Sequence, residues 1–175
     1  IDGDAGHVLV GIWLSGLAGK TLTQTVANNF IMAPTVPSAA GAYVIGILDN
    51  ATGVNPLHLY YNSVYIGGTN YDATEMTEAY SRWNISVTDV KNNIFSNERT
   101  GAGLNVAIEE DKAGGTYVSD FNDLYSAAGT VGFDGTATVY PLLSDWQGYE
   151  VGQELNSKSV LPTFKSTSDL GTIET

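Results

Sequence analysis

Carboxylates and basic residues are the groups in this chain with the reach to do chemistry, and their spacing is sparse. Asp89 and Lys91 stand two apart, so on an extended strand both point to one face. Arg82 lies upstream and Asp120 about one repeat further on. A carboxylate cluster beside a basic side chain is what a calcium-dependent polysaccharide lyase uses, the carboxylates holding the cation and the Lys or Arg taking the proton. A glycoside hydrolase would instead need two or three carboxylates converging from neighbouring segments. The bland alternative for Asp89, Lys91 and Asp120 is a solvated face with an ordinary ion pair, and residue types alone favour it.

Metal chemistry has two weak candidates. Asp2-Gly3-Asp4 carries the oxygen spacing of a small calcium loop without the later Glu of a complete one, and Glu109-Glu110-Asp111 forms an acidic run in an expected loop. His7 and His58 are isolated and there is no Cys, which argues against a zinc site and excludes a disulfide framework. No cofactor motif is present, and calcium is the one ion the pattern would admit.

The elements that must position these groups announce themselves by repetition. Asn28-Asn29-Phe30-Ile31, Asn62-Ser63-Val64-Tyr65, Asn92-Asn93-Ile94-Phe95 and Asn122-Asp123-Leu124-Tyr125 recur at spacings of 34, 30 and 30 residues. A small residue followed by a large apolar one recurs in phase, as Gly11-Ile12, Gly46-Ile47, Ala79-Tyr80, Ala107-Ile108 and Gly132-Phe133. Two landmarks in constant order mark stacked units, none able to bury its apolar face alone. The expected fold is all-β: a solenoid of short stacked strands, about five coils in extent. Its repeat coils run over about 8–140, with an atypical cap over about 141–175 in which Trp146 covers the open end and Ser144 caps a short helix.

Asn at a repeat corner fits a bend that needs positive φ, and its amide can bond the coils above and below. Asn28, Asn62, Asn92 and Asn122 are therefore expected to form a ladder. Beside it, Phe30, Val64, Ile94 and Leu124 would stack as one core column, and Ile12, Ile47, Tyr80, Ile108 and Phe133 as another. Ile31, Tyr65, Phe95 and Tyr125 would form a third, either interior packing or an exterior aromatic platform for a sugar polymer.

Composition narrows the function classes. Nineteen acidic against seven basic residues give a net charge of −12, which leaves no basic face for nucleic acid. No run of eighteen apolar residues is present, so no helical membrane span is expected. An acidic, lightly charged, cysteine-free chain fits an extracellular bacterial setting. Beginning at Ile1 and entering the repeat almost at once, the chain reads as a processed piece of a larger protein, one β-helix domain in extent.

Three segments carry a resemblance. Leu59-Tyr60-Tyr61-Asn62-Ser63-Val64-Tyr65, Lys91-Asn92-Asn93-Ile94-Phe95-Ser96-Asn97-Glu98-Arg99-Thr100-Gly101 and Ser119-Asp120-Phe121-Asn122-Asp123-Leu124-Tyr125-Ser126 resemble the right-handed parallel β-helix, or pectin-lyase-like, superfamily. More narrowly, they are similar to repeat regions of large secreted surface proteins of Bacteroidetes and related bacteria. Ser144-Asp145-Trp146-Gln147, with Asn156-Ser157-Lys158-Ser159-Val160 and Phe164 after it, is similar to the way such repeats end. The resemblance implies a fold and leaves the activity open, because that superfamily includes lyases, hydrolases, adhesins and inert stalks.

The expectation is a non-catalytic, extracellular structural or adhesive module of a bacterial surface protein. Its ligand would be polysaccharide or cell-surface glycan, taken by the loops Gly67–Glu78 and Ala33–Ala42 or by exposed Tyr and Trp. The alternatives are a polysaccharide lyase or glycoside hydrolase acting through Asp89, Lys91 and Asp120, and a subunit that stacks end to end into filaments.

Overall fold

A computed structural model describes residues 8–16, 23–35, 40–51, 56–111, 115–166 and 169–172. Asp2 and Asp4 lie outside the described residues. The chain lays down three strands in every turn. The first turn holds β1 (Val8–Ser15), β2 (Gln24–Ala27) and β3 (Phe30–Ala33); the second, β4 (Tyr43–Asn50), β5 (Pro56–Tyr60) and β6 (Ser63–Ile66). After β7 (Thr69–Asn70) come β8 (Met76–Arg82), β9 (Val87–Lys91) and β10 (Ile94–Asn97). After β11 (Thr100–Gly101) come β12 (Leu104–Glu110), β13 (Thr116–Asp120) and β14 (Asp123–Ser126).

Corresponding strands pair in parallel as β1-β4-β8-β12, β2-β5-β9-β13 and β3-β6-β10-β14, making a β-solenoid with three stacked faces. Among the described residues four rungs carry parallel strands on all three faces, which makes about three full turns between the first and the last complete rung, fewer than the five coils expected. The fifth turn starts where the repeat predicts, with β15 (Gly132–Phe133), and stops there. Asp134 Oδ1 accepts the backbone N–H groups of Thr136, Ala137 and Thr138, each at 2.9 Å. That turn sends the chain back as β16 (Val139–Tyr140), antiparallel to β15.

The cap follows. Helix α1 (Leu143–Tyr149) places Trp146, fully buried, beneath Gly132, where any Cβ would run into the indole. Trp146 closes the end as expected, but Leu142 and not Ser144 is the N-cap, with its N–H donating to Asp145 Oδ2 at 3.2 Å. Glu154 is the second closing device. Its carboxylate accepts from Asn122 Nδ2 at 3.2 Å and from the hydroxyls of Ser119 and Ser157. Lys158 then bridges Asp123 in parallel, a partial extra rung on the third face. Finally β17 (Phe164–Ser166) and β18 (Asp169–Thr172) form a small antiparallel pair.

The Asn ladder exists, one residue out of the expected register in two turns. Asn29 N donates to Asn62 Oδ1 at 3.2 Å, Asn62 N to Asn93 Oδ1 at 2.9 Å, and Asn93 N to Asn122 Oδ1 at 2.9 Å. The Nδ2 groups of Asn62, Asn93 and Asn122 also donate back to Val26, Leu59 and Val90 carbonyls at 3.0, 2.9 and 3.0 Å. Asn28 and Asn92 stand just before the ladder, in the left-handed region with φ of 59° and 57°; Tyr61 and Phe121 occupy the same place at 56° and 59°. Positive φ and amide bonding therefore fall on successive residues. Where two Asn are adjacent, spacing alone picks the first.

The columns shift accordingly. Ile31, Val64, Phe95 and Leu124 share one register and fill the interior, while Phe30 pairs with Ser63 and is 63% exposed. Tyr65 pairs with Met32 and Ser96, so no stripe of Ile31, Tyr65, Phe95 and Tyr125 runs along the surface. Ile12, Ile47, Tyr80 and Ile108 do stack as expected, although Gly132 rather than Phe133 continues their column. The small residue before them is required: a Cβ on Gly46 would collide with Val64 Cγ1 across the core.

Candidate functional site

The first face bends where the small and large landmark residues meet. Ala79 and Tyr80 are consecutive in β8 yet both belong to the core, as do Ala107 and Ile108 in β12. Two successive inward residues slip the period-two alternation by one. Residues on both flanks then face outward, Glu78 and Ser81 on β8, Val106 and Glu109 on β12. An outer groove of about 510 Å³ lies over them, walled by Tyr43, Met76, Trp83 and Phe133, with Glu109 and Asp111 contributing carboxylates. The Tyr43 and Trp83 rings meet edge to face, centroids 6.3 Å apart at 87°.

Glu109 is held by two donors on one oxygen: Trp83 Nε1 at 2.9 Å and the Ser81 hydroxyl both donate to Oε2. Glu78 abuts it from the next rung down and is fully buried. Ser81 and Glu109 lie against the Glu78 carboxyl, but neither of its oxygens has a well-formed hydrogen bond, the Ser81 hydroxyl donating to Glu109. Burial first, and then the charge of Glu109, hold Glu78 well above the usual carboxylate range. Two carboxyls in contact with one proton between them is the arrangement that relieves both.

The inner side of the same strands is organised differently. Asp49, Arg82 and Glu110 occupy one register across β4, β8 and β12, exposed by 0, 1 and 2%. Arg82 Nη1 pairs with Glu110, Nη2 donates to the Ser86 carbonyl at 2.6 Å, and Nε lies 3.9 Å from Asp49 Oδ2. Asp49 Oδ2 also accepts from the hydroxyls of Ser86 at 2.7 Å and Thr88 at 2.8 Å. The guanidinium sits 5.6 Å from the centre of the Tyr117 ring. Burial still pushes Glu110 up to about 8, against the pull of Arg82.

The sequence-predicted residues separate along these lines. Asp89, Lys91 and Asp120 do meet, on the outer side of the second face, where Lys91 and Asp120 are register partners. Lys91 Nζ lies 2.9 Å from Asp89 Oδ1, Tyr60 OH donates to Asp89 Oδ2 at 2.6 Å, and Asp120 accepts from Asn156 N and Nδ2, both at 2.7 Å. Burial and the Asp89 contact push the Tyr60 phenol up to about 12. All three charges are thus engaged with one another or with the cap. Arg82, expected beside them, is instead locked in the inner column.

Glu109, Glu110 and Asp111 are not a loop run gathering one cation. Glu109 and Glu110 end a strand and point to opposite sides of it, and among the described residues no three of His, Asp or Glu converge to hold a metal ion. The Gly67–Glu78 loop is tied from within, Arg99 Nη2 to Glu75 Oε1 at 2.6 Å with both residues fully buried. Ala33–Ala42 lies partly outside the described residues. Glu78, Ser81, Trp83, Tyr43 and Phe133 were missed by sequence reasoning. Their signal was available: if both members of Ala79-Tyr80 and of Ala107-Ile108 face inward, Glu78 and Glu109 must share the outer side of adjacent rungs.

Compared with models of known protein families, with curated proteins and with solved structures, the chain matches none.

Proposed function

We propose that this chain is a non-catalytic, extracellular module of a bacterial surface protein that uses the outer groove of its first face to hold carbohydrate. The observation that carries the reading is the lining of that groove: the perpendicular rings of Tyr43 and Trp83, Phe133 on the far wall, and carboxylates of Glu109 and Asp111. Sugars present apolar C–H faces and hydroxyl rims, and such sites pair aromatic surfaces with a few polar groups that fix orientation. The low content of charged residues, the acidic balance and the lack of Cys support an extracellular setting. Among the described residues no helix is long and apolar enough to cross a membrane.

Catalysis is the weaker reading. A lyase needs a free base, and among the described residues the groove lining includes neither Lys nor Arg. Hydrolysis of glycosides uses carboxyls about 5–9.5 Å apart, whereas Glu78 and Glu109 are in contact. End-to-end stacking would need an open strand edge at the C-terminal end, and there α1, Trp146 and Glu154 cover the last rungs.

The test is a glycan panel probed with the purified chain beside Trp83→Ala. Binding that falls at least tenfold in the variant supports the reading; no glycan held above background removes it.

A further inference from the structure

The two sides of the first face differ in one respect that points to a ligand. On the inner side, buried carboxylates of Asp49 and Glu110 have Arg82 between them. On the outer side, Glu78 and Glu109 occupy the adjacent rungs, and among the described residues no cationic side chain lines the groove above them. Glu78 is fully buried against Glu109 and neither of its oxygens has a well-formed hydrogen bond, so the outer pair is poorly compensated from within the fold. Above the pair stand three aromatic walls, Tyr43, Trp83 and Phe133, and the further carboxylate of Asp111. Aromatic faces and edge carboxylates around one space are the chemistry that recognises an organic cation: the rings offer their negative faces while the carboxylates supply the counter-charge.

We propose that the outer groove binds an organic ammonium ion, which takes over Glu109 and Asp111 the place that Arg82 fills on the inner side. The proposal rests on the reading of this groove as a ligand site and not on the ligand being a neutral glycan. Two sources share the chemistry. An amino sugar with an unacetylated amine would extend the carbohydrate reading, and a quaternary ammonium, as in choline or a trimethylated lysine side chain, would replace it. The polyanionic uronate polymers are the disfavoured class, because no described residue of the lining neutralises them.

The experiment is a titration of the full, isotope-labelled chain, following the Trp83 indole N–H resonance, which reports on the groove through its bond to Glu109. The probes are tetramethylammonium, choline, glucosamine, N-acetylglucosamine, and 3,3-dimethylbutan-1-ol as the uncharged analogue of choline. Saturable shifts are expected with the cationic probes and none with the alcohol. Glucosamine binding more tightly than choline assigns the amino-sugar source, and the reverse order assigns the quaternary one. Glu109→Gln and Asp111→Asn should each weaken cation binding by about tenfold, the order expected of one cation contact. Trp83→Phe, which keeps a ring, should weaken it less than Trp83→Ala, both followed by calorimetry.

Equal binding of choline and the uncharged alcohol would overturn the proposal, as would cation binding unchanged in all four variants, which is general attraction to a chain of net charge −12. Neutral glycans bound with no response to any ammonium would also overturn it while leaving the carbohydrate reading intact. Ammonium bound with no glycan held would do the opposite.

Discussion

The same three strands carry buried carboxylates on both of their sides, and the two sides have opposite solutions. Inside, Asp49 and Glu110 flank Arg82, and hydroxyls of Ser86 and Thr88 with the Tyr117 ring complete the set. Outside, Glu78 and Glu109 meet each other, and Ser81 and Trp83 both donate to Glu109. Stacking like positions at the strand spacing of ~4.8 Å makes such columns unavoidable in a solenoid. A column containing its own counter-ion is structural. One without it depends on a shared proton or on something arriving from solvent.

Breaking the inner column should have the largest effect. Arg82→Met leaves Asp49 and Glu110 buried without their cation, and removal of one partner from a buried pair costs about 3–5 kcal/mol. Chemical denaturation of the variant measures it, and a loss under 1 kcal/mol would show that the column is not what the geometry says. The Asn ladder gives an independent scale. Asn93→Ala should cost about 1–3 kcal/mol by stranding buried amides on both neighbouring turns. Asn92→Gly should be close to neutral, since glycine adopts the positive φ of that position freely. Equal effects at the two positions would restore the register read from spacing.

That pair of residues also marks how far the sequence could be read. The solenoid, its Asn-bearing corner, the stacking of Ile12, Ile47, Tyr80 and Ile108, and the closing role of Trp146 were all legible, because each depends on repetition or on a terminal exception to it. Register within a turn was not. Asn28-Asn29 and Asn92-Asn93 offer two candidates each, and only the backbone geometry assigns positive φ to the first and the ladder to the second. The number of turns was overestimated because β15 carries the landmark while Asp134 reverses the chain just after it. The groove stayed hidden for a related reason. Strict alternation puts Glu78 and Glu109 on opposite sides of their strands, and only the bend between them brings the two carboxyls together.

The response to pH sharpens the contrast further. Glu78 and Glu110 both titrate above their unfolded value of 4.5 in the folded chain, Glu110 at about 8. A carboxyl raised on folding binds its proton more tightly in the native state, so its contribution is present below the unfolded pKa and is lost as pH rises through the folded one. Stability should therefore decline between about pH 4.5 and 8 rather than rise, visible as a falling melting temperature. Asp72, Asp120 and Asp134, all held below the usual range, act in the opposite sense only in stronger acid.

Glu78→Gln is the mildest change. Its amide can donate to Glu109 as the protonated acid does, so stability at neutral pH should move by about 1 kcal/mol or less, and the decline with pH should become shallower. A loss of several kcal/mol would mean that Glu78 is ionised and partnered after all.

The protonation state of Glu78 can be read directly from its side-chain carboxyl carbon by NMR in the free, unmutated chain. Burial of Glu78 against Glu109 predicts a resonance that stays in the protonated position well above pH 4.5. Titration of Glu78 near its ordinary value of 4.5 would contradict the account, since an ionised, solvated Glu78 needs neither a shared proton nor a ligand.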